Sequence, residues 1–470
     1  MEGIISCIKH SGMNPVYYVA SASASGATLE EAKGIEMLSL GEAVNTENGI
    51  AYPAPKEQGL FNGGISSAIS EEAARLQIME PYLTGSQEID RTTRAMWDSL
   101  IASSSMLVKK LLYGAPVLVR FHNDADGSSG AYCLYLALSE LMGTGKLAVK
   151  KSNTVWLMHK GVTYSEYDAA SDILISNNYE SLEKPLLVLI DFGTAPESEA
   201  GIHAAEKRFD ILWLDHHPVP EGFFGSRMAH YSNPWLFEGD SNYTAGFLAS
   251  AFSKTLCRSD TIMIENASLI GDYSSYRVGD GNDNGISLLL DLLTSDTKLA
   301  SSAPGNLTPM DIAAVLENKT RREELISYAR VRLGELLGEA VKSVKEYRSA
   351  DTCVYLLDFS KMRDDGVKYP LPGRFSSKLL GKLSELSGSP CVLVLHFDSY
   401  LSIRVDKQLA SRVMLLEVIR EMRERHPSDI ISGGGHPSAA SIKLSGESEK
   451  KRMLSELVQL IKARLSDGTA

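Results

Sequence analysis

Long apolar runs are missing from this 470-residue sequence. A helix that crosses a membrane needs about 20 consecutive, mostly apolar residues, and no run of that length occurs. The first residues also lack the basic and apolar pattern of a secretory signal peptide. These two absences predict a cytoplasmic protein that has no membrane partner.

Cysteine is scarce as well. The cysteines are odd in number, are scattered along the chain and are never spaced as CxxC. They are Cys7, Cys133, Cys257, Cys353 and Cys391. This usage is typical of a reducing compartment, and it argues against both a disulfide framework and a zinc site.

Basic residues are fewer than acidic ones. The 47 Lys and Arg residues face 59 Asp and Glu residues, for a net charge of −12, which argues mildly against non-specific binding of nucleic acid. The stretch from Thr352 to the end reverses the balance, with 18 basic against 14 acidic residues. If the substrate is a polyanion, we expect this C-terminal stretch to hold it.

The length predicts two or three domains, because one core rarely serves so long a chain. Strand and helix patterns that alternate predict the α/β class, with a mainly parallel sheet flanked by helices. A smaller α/β lobe follows a linker helix, predicted at Thr320 to Tyr347, and a helical extension precedes the sheet. The expected regions are 1–105, an extension that is partly helical; 106–300, the main sheet; 301–350, linker helices; and 351–470, the smaller lobe.

Polar clusters follow three apolar segments that we predict to be buried strands. Pro116–Phe121 runs into His-Asn-Asp-Ala-Asp-Gly, Leu186–Ile190 into Asp-Phe-Gly, and Ile211–Leu214 into Asp-His-His-Pro. Right-handed crossovers bring the carboxyl ends of parallel strands to one edge of a sheet. We therefore expect the three clusters to meet there.

Each cluster alone has an ordinary explanation, such as a solvated turn or a helix N-cap. Together they supply imidazoles and carboxylates but no thiolate, a set that suits Mn²⁺, and Mg²⁺ less well. So many ligands suit two ions about 3.5–4 Å apart better than one ion. Such a pair activates a shared water and stabilises charge on a phosphoryl group, so the class of reaction is hydrolysis of a phosphate ester or anhydride.

The order HNDADG, DFG, DHHP, a later GD and finally SGGGHPSAA resembles the DHH phosphoesterase superfamily with its DHH-associated C-terminal domain. The similarity runs from about Leu111 to the end and is greatest to the RecJ-like branch. It assigns 106–300 to a two-metal catalytic domain and 351–470 to a substrate-binding domain.

The resemblance implies six metal ligands: His122, Asp124, Asp126, Asp191, His216 and Asp272. Asp191 would be shared by the two ions. His217 would contact the scissile phosphate as a hydrogen-bond donor or acid, and Asp215 would orient an imidazole. The alternative for Asp272 is an N-cap of the helix that follows.

The resemblance also implies a set of substrate-binding residues in the C-terminal lobe: Arg404, Gly433, Gly434, Gly435 and His436. The glycines would let backbone N–H groups approach a phosphate, and Arg404 could donate to one. The alternative for the glycines is a flexible turn, and the alternative for Arg404 is an arginine on the protein surface. Arg374 and Lys378 are weaker candidates.

Three further segments carry expectations about local structure. In the extension we predict a strand at Pro15–Val19, a loop at Gln58–Gly64, and two helices between Ala68 and Leu112. Asp280–Asp291 resembles a calcium loop, but we expect a polar turn that caps the helix after it.

The function implied is a Mn²⁺-dependent exonuclease that hydrolyses single-stranded DNA or RNA to mononucleotides, with Mg²⁺ as a possible substitute. An alternative with the same chemistry acts on short oligonucleotides, nucleotide bisphosphates or cyclic dinucleotides. A third, non-catalytic alternative is a partner protein in replication or repair. A protein partner could in any case bind through the N-terminal extension.

Overall fold

The structure, a computed structural model, forms two compact units, Met1–Lys319 and Thr320–Ala470. It describes residues 2–10, 15–23, 26–34, 37–54, 62–147, 149, 152–223, 225, 228–301, 305–348, 351–362, 368–397, 400–446 and 450–467. Within these ranges we find no helix that combines the length and apolarity needed to cross a bilayer.

The first unit begins with five strands. They are β1 (Glu2–Lys9), β2 (Val16–Ser23), β3 (Gly26–Gly34), β4 (Ala43–Glu47) and β5 (Ile50–Pro53). Because β1 pairs with β2 on one side and with β4 on the other, the strands close in the order β1-β2-β3-β5-β4-β1. Only β3 and β5 pair in parallel. A closed five-stranded barrel with this order has the connectivity of the OB fold.

The barrel goes beyond the expectation of a partly helical extension with one strand. The predicted strand at Pro15–Val19 is present within β2, but the other four strands were missed. Most of them are rich in small or polar residues, as β3 and β4 show, so their apolar periodicity is weak. Their core consists of a few side chains, among them Ile5, Tyr17 and Val19.

Two helices follow the barrel, α1 (Asn62–Arg75) and α2 (Gln87–Leu112), as the pattern from Ala68 to Leu112 predicts. The predicted loop at Gln58–Gly64 is wrong at its end, since α1 already begins at Asn62; residues 58–61 lie outside the described ranges. The acidic residues Glu88 and Asp90 occupy the first turn of α2 and Lys109 and Lys110 the last, the arrangement that the helix dipole favours.

The rest of the first unit is built around a second, parallel sheet. Its elements are β6 (Val117–His122), α3 (Ala125–Gly143), β7 (Thr154–His159), α4 (Glu166–Ser176), β8 (Tyr179–Ser181), β9 (Leu186–Ile190), α5 (Glu199–Glu206), β10 (Asp210–Leu214), β11 (Tyr231–Ser232), α6 (Ala245–Ser253), α7 (Ile262–Gly271), α8 (Ile286–Ser295) and α9 (Pro309–Glu317).

Five of these strands form the sheet in the order β11-β10-β9-β6-β7, and every pair is parallel. β8 instead joins the barrel, where it pairs with β1. Helix α3 packs against α6, α7 and α8, while α4 and α5 pack together elsewhere in the unit. All five residues of β9 are buried. The predicted parallel sheet with flanking helices is confirmed, and its central strands are apolar because helices cover both faces.

The second unit consists of one mixed sheet and its helices. Its elements are α10 (Lys319–Ser343), β12 (Lys345–Arg348), β13 (Cys353–Asp358), α11 (Pro372–Ser387), β14 (Cys391–His396), β15 (Tyr400–Val405), α12 (Ala410–Val413), α13 (Leu415–Arg425), β16 (Ile430–His436), β17 (Ala439–Leu444) and α14 (Lys450–Asp467). The strand order is β12-β13-β14-β15-β17-β16. The predicted smaller α/β lobe is therefore present.

One local alternative in this unit is wrong. The glycine run, for which a flexible turn was the alternative, lies within β16, where Gly433, Gly434 and Gly435 pair with β17. Glycine lacks a side chain that would signal a strand, so only the pairing with β17 shows that this segment is extended.

Candidate metal centre

The first polar cluster stands where β6 passes into α3. Asp124 is the N-cap of α3, and its Oδ1 accepts a hydrogen bond from the Gly127 backbone N–H at 3.0 Å. A side chain at position 127 would lie 2.5 Å from the His122 carbonyl oxygen, so only glycine allows this tight turn. His122 Nδ1 lies 2.7 Å from Asp124 Oδ2 and 3.5 Å from Asp191 Oδ2.

Asp126 points to the other side of the cluster and is 2% exposed. Its carboxylate accepts hydrogen bonds from the backbone N–H groups of Ala245 (2.9 Å) and Gly246 (2.7 Å) and from the Ser268 hydroxyl (2.5 Å). The two amides belong to the first turn of α6, where the helix dipole favours negative charge. These contacts keep the buried carboxylate in place.

Asp191 follows the last residue of β9 and is also buried. Its φ of +68° is uncommon for a residue other than glycine, although Asp and Asn adopt it more readily than most. Its backbone N–H donates to the carbonyl of Leu214 at 2.9 Å, which ties the ends of β9 and β10 together. Its side chain approaches both His122 and His216.

Asp215 begins the third cluster and is fully buried. One of its oxygens accepts hydrogen bonds from the backbone of His216 and from Nδ1 of His217, the latter at 2.7 Å. The other oxygen accepts from the hydroxyl and the backbone N–H of Thr194. Asp215 therefore orients an imidazole, in the position expected for it, while the His217 ring remains 31% exposed.

His216 is oriented by a different partner. Its Nδ1 donates to the carbonyl oxygen of Ser241 at 2.9 Å, which leaves Nε2 free to act as a ligand. This Nε2 lies 3.4 Å from Asp191 Oδ1, 3.6 Å from Asp126 Oδ2 and 3.7 Å from Asp272 Oδ2. A histidine held in this way and facing three carboxylates is typical of metal sites.

Asp272 directly follows the last residue of α7. The alternative that it caps the next helix is wrong, because α8 begins only at Ile286 and Gly285 precedes it. Asp272 comes from a helix end rather than from a strand end, and it completes the set of residues around His216.

Three overlapping groups result, in each of which one nitrogen or oxygen atom per residue lies within 4.8 Å of the others. The groups are His122, Asp124 and Asp191; Asp126, His216 and Asp272; and Asp191, His216 and His217. All six residues predicted as ligands are thus brought together, with Asp191 in two of the groups. The donors are imidazoles and carboxylates with their partners in place, so they fit hard divalent cations such as Mn²⁺ or Mg²⁺.

The electrostatics agree with this fit. Burial, reinforced by the charge of Asp191, raises the pKa of Asp126 well above its usual value. Burial alone would lower the pKa of His216, but its hydrogen bond to Asp191 and the surrounding carboxylates raise it well above the ordinary value. In both cases the neighbouring carboxylates favour the protonated, more positive form of the group, so positive charge is favoured at this place.

Several supporting residues were missed by the sequence analysis. The clearest is Asp291, which is buried and accepts a hydrogen bond from the Ala125 backbone N–H at 2.9 Å. It ends the calcium-like segment, whose predicted polar turn is confirmed: Asp283 caps the start of α8 through the N–H groups of Gly285 and Ser287. A carboxylate on the apolar side of a helix was the available signal for Asp291.

The substrate-binding candidates all lie in the second unit. Arg404, on β15, donates from Nε to the Ser376 hydroxyl at 2.8 Å and from Nη2 to the Gly373 carbonyl at 3.4 Å. Gly433, Gly434 and Gly435 lie on β16, the last strand of the sheet order. The side chain of His436 lies outside what the structure describes. Burial and the charge of Arg374 lower the pKa of Lys378, so these two weaker candidates are neighbours.

Comparisons with known proteins bear on the fold. No protein-family model matches the sequence. An uncharacterised protein of Methanocaldococcus jannaschii is 22% identical over 436 residues, which cover 81% of this chain and 56% of that protein. The chain thus spans little more than half the length of this relative.

Among solved structures, a DHH domain described as a member of the s1p family of ribosomal proteins is similar, with a TM-score of 0.70 and 18% identity over 84% of this chain and 97% of that one. RecJ from Thermus thermophilus in complex with Mn²⁺ matches with a TM-score of 0.49 and 14% identity, over 85% of this chain and 59% of that one. The first of these similarities, together with the arrangement of strands and helices, shows that this chain has the fold of a DHH domain.

Proposed function

We propose that this protein is a metal-dependent phosphodiesterase that uses two divalent ions, Mn²⁺ or Mg²⁺, and removes nucleotides from an end of single-stranded DNA or RNA. The observation that carries the proposal is Asp191, which stands between two groups of potential ligands. A carboxylate shared in this way is what a pair of closely spaced ions requires.

His122 and Asp124 would hold the first ion, Asp126, His216 and Asp272 the second, and Asp191 both. Such ions, when bound, activate a water and neutralise negative charge on a phosphoryl group. The protein's own contribution is to fix the ligands: two amides of α6 hold Asp126, and the Ser241 carbonyl holds His216.

His217 has a separate role in this proposal. Its Nδ1 donates to Asp215, so its partly exposed ring can present an Nε2–H group to a phosphoryl oxygen or to the leaving group. Burial lowers the pKa of His217, but the charge of Asp215 and this hydrogen bond outweigh burial and leave the pKa raised. A raised pKa favours the protonated ring, which is the form that a proton donor needs.

The second unit would bind the rest of the substrate. Arg404 and the glycines of β16 are proposed to contact its phosphates, together with His436. This assignment is supported by the basic excess of the sequence after Thr352 and by the planar donor group of arginine, which matches a phosphate.

The test is hydrolysis of single strands labelled at either end, with Mn²⁺ and the full chain. Wild-type protein should release mononucleotides from one end first. Asp191→Asn should reduce the rate at least about a thousandfold and lower the number of Mn²⁺ ions bound per chain. Asn tolerates the positive φ at this position, so the fold should persist.

The matched control is Asp98→Asn, which removes the same charge at an exposed position of α2. It should keep the wild-type rate and the wild-type number of bound ions. An Asp191→Asn variant that works as fast as this control would disprove the shared-ligand arrangement. Wild-type protein that releases no nucleotide from any strand would disprove the nuclease assignment.

A second candidate function is hydrolysis of short oligonucleotides or other small phosphodiesters. The net charge of −12 favours it, because long polyanions are repelled by an acidic protein. Comparing kcat/KM on dinucleotides and on longer strands of the same composition separates the two. A higher value on dinucleotides would favour the second candidate.

A further inference from the structure

Trp235 is a large aromatic side chain at the margin of the metal centre that is left 45% exposed. Its indole Nε1–H donates to the carbonyl oxygen of His216 at 3.2 Å and to the Ser241 hydroxyl at 3.0 Å. Asn233 fixes the same short segment, because its side chain accepts from the Trp235 N–H and donates to the carbonyl of His217. The indole is thus anchored to the backbone of His216, and its segment is tied to His217 through Asn233, while Trp235 remains 45% exposed.

Tyr273 is a second exposed aromatic residue, and it directly follows Asp272 in the chain. Its ring is 42% exposed, and its φ is +56°, a conformation that a bulky residue rarely adopts. Backbone strain of this kind is concentrated at functional sites. An unusual backbone conformation thus directly follows the candidate ligand Asp272.

Hydrogen bonds join the two chain segments that carry these aromatic residues. Asn242 follows Ser241, the partner of Trp235, and its carbonyl accepts from the Ser274 hydroxyl at 2.6 Å. Its side-chain oxygen accepts from the Ser275 backbone N–H at 2.9 Å. The segment that carries Tyr273 is therefore tied to the segment that anchors Trp235.

We propose that Trp235 and Tyr273 form an aromatic rim on which unpaired bases of the substrate stack while its phosphate lies at the metal centre. This inference rests on the proposed function and specifies how the substrate is recognised. Aromatic rings stack with any base, so such a rim binds strands without regard to sequence. Bases within a duplex already stack on one another and pair, so the rim selects single strands.

Isolated exposed aromatic residues are common on protein surfaces and need no function. Here Trp235 is hydrogen-bonded to the backbone of the candidate ligand His216, and Tyr273 directly follows the candidate ligand Asp272 in the chain. The ring of Trp235 is oriented by its N–H group, which leaves its faces available.

The test compares two single strands of equal length and equal phosphate number, one normal and one in which the bases are missing. Binding and hydrolysis are both measured on the full chain. Wild-type protein should bind the normal strand more tightly. Trp235→Ala and Tyr273→Ala should each weaken binding of the normal strand about tenfold and leave binding of the base-free strand unchanged.

Two further variants separate stacking from other effects. Trp235→Phe keeps a ring but loses the N–H group, so it should retain most of the affinity for the normal strand. Tyr167→Ala removes a more exposed aromatic ring from α4 and should behave as wild type. A Trp235→Phe variant as weak as Trp235→Ala, or an equal loss for both strands, would show that Trp235 only positions His216 and would overturn the proposal.

Failure of the rim and failure of the proposed function give different results. If wild-type protein hydrolyses both strands and binds them equally, the phosphodiesterase stands and the aromatic rim is wrong. If it prefers the normal strand in binding but hydrolyses neither, the rim stands and the catalytic proposal is wrong.

Discussion

The N-terminal barrel and the parallel sheet belong to one compact unit, yet they bury their strands in different ways. Strand β4 of the barrel alternates between side chains that are buried and side chains that are not, whereas every residue of β9 is buried. Both faces of the parallel sheet are covered, and the polar residues His122, Asp191 and Asp215 lie where its strands end, while Arg120, a charge inside β6, is paired with Asp172. Strand β3 of the barrel instead carries two adjacent carboxylates within its length, Glu30 and Glu31, whose side chains point to opposite faces of the strand.

The barrel also differs from other OB folds in the use of its surface. Binding faces of these folds centre on β2 and β3. Here Tyr18 and Leu29, on the outer side of these strands, are buried, and Gly114 of the chain leading into β6 lies against both. The acidic residues of β3 would in addition repel a polyanion. Connectivity alone therefore does not make the barrel a nucleic-acid clamp.

The largest expected effect concerns a charged pair buried within the layers of the parallel sheet. Arg120 of β6 donates two hydrogen bonds of 2.7 Å to Asp172, and Tyr164 donates a third to the same carboxylate. Arg120→Leu leaves this buried carboxylate without its cation, so the free energy of unfolding should fall by about 3–5 kcal/mol.

Denaturant unfolding measures this loss, and a double variant controls for it. Adding Asp172→Leu to Arg120→Leu should recover much of the stability, because the buried carboxylate that lost its cation is then gone. If the single and double variants are equally unstable, packing rather than charge explains the effect.

A slightly smaller effect is expected in the barrel, where the core is apolar. Ile5→Ala opens a cavity and should lower the free energy of unfolding by about 2–5 kcal/mol. Because Ile5 packs among side chains of the barrel's own core, the geometry of the candidate metal centre should be unchanged. Binding of Mn²⁺ by the folded variant should match wild type in calorimetry; a large loss of affinity would link the barrel core to the metal centre.

The third prediction concerns Asp291, which accepts a hydrogen bond from the backbone of the first polar cluster. Asp291→Ala removes the acceptor for the N–H of Ala125, the residue between the candidate ligands Asp124 and Asp126, and should weaken Mn²⁺ binding about 10-fold, the lower end of the effect of losing an outer contact of a metal site. Asp291→Asn keeps an acceptor oxygen and should lie between this variant and wild type. Equal Mn²⁺ affinities in all three proteins would show that Asp291 does not contribute to metal binding.

The smallest effect is expected on the barrel surface. Glu47→Lys reverses an exposed charge at the end of β4 and should change the free energy of unfolding by less than about 0.5 kcal/mol. The affinity for single strands should also stay within roughly twofold of wild type. A large gain in affinity would show that strands pass over the barrel after all.

How much the sequence predicts differs between the two regions for a physical reason. The apolar runs of β6, β9 and β10 are local signals, and the polar residues after them must lie at one sheet edge because parallel strands share a direction. The barrel strands have weak patterns, because most of what stabilises them is pairing with strands elsewhere in the chain.

The sequence by itself determined the parallel sheet and the chemical nature of the candidate ligands, because three apolar strand patterns are each followed directly by carboxylates or imidazoles. Only the tertiary structure decided that Asp272 completes the cluster from a helix end, that Asp291 supports it and that strands β1 to β5 close into a barrel. Each of these depends on contacts between residues far apart in the chain, which no local pattern records.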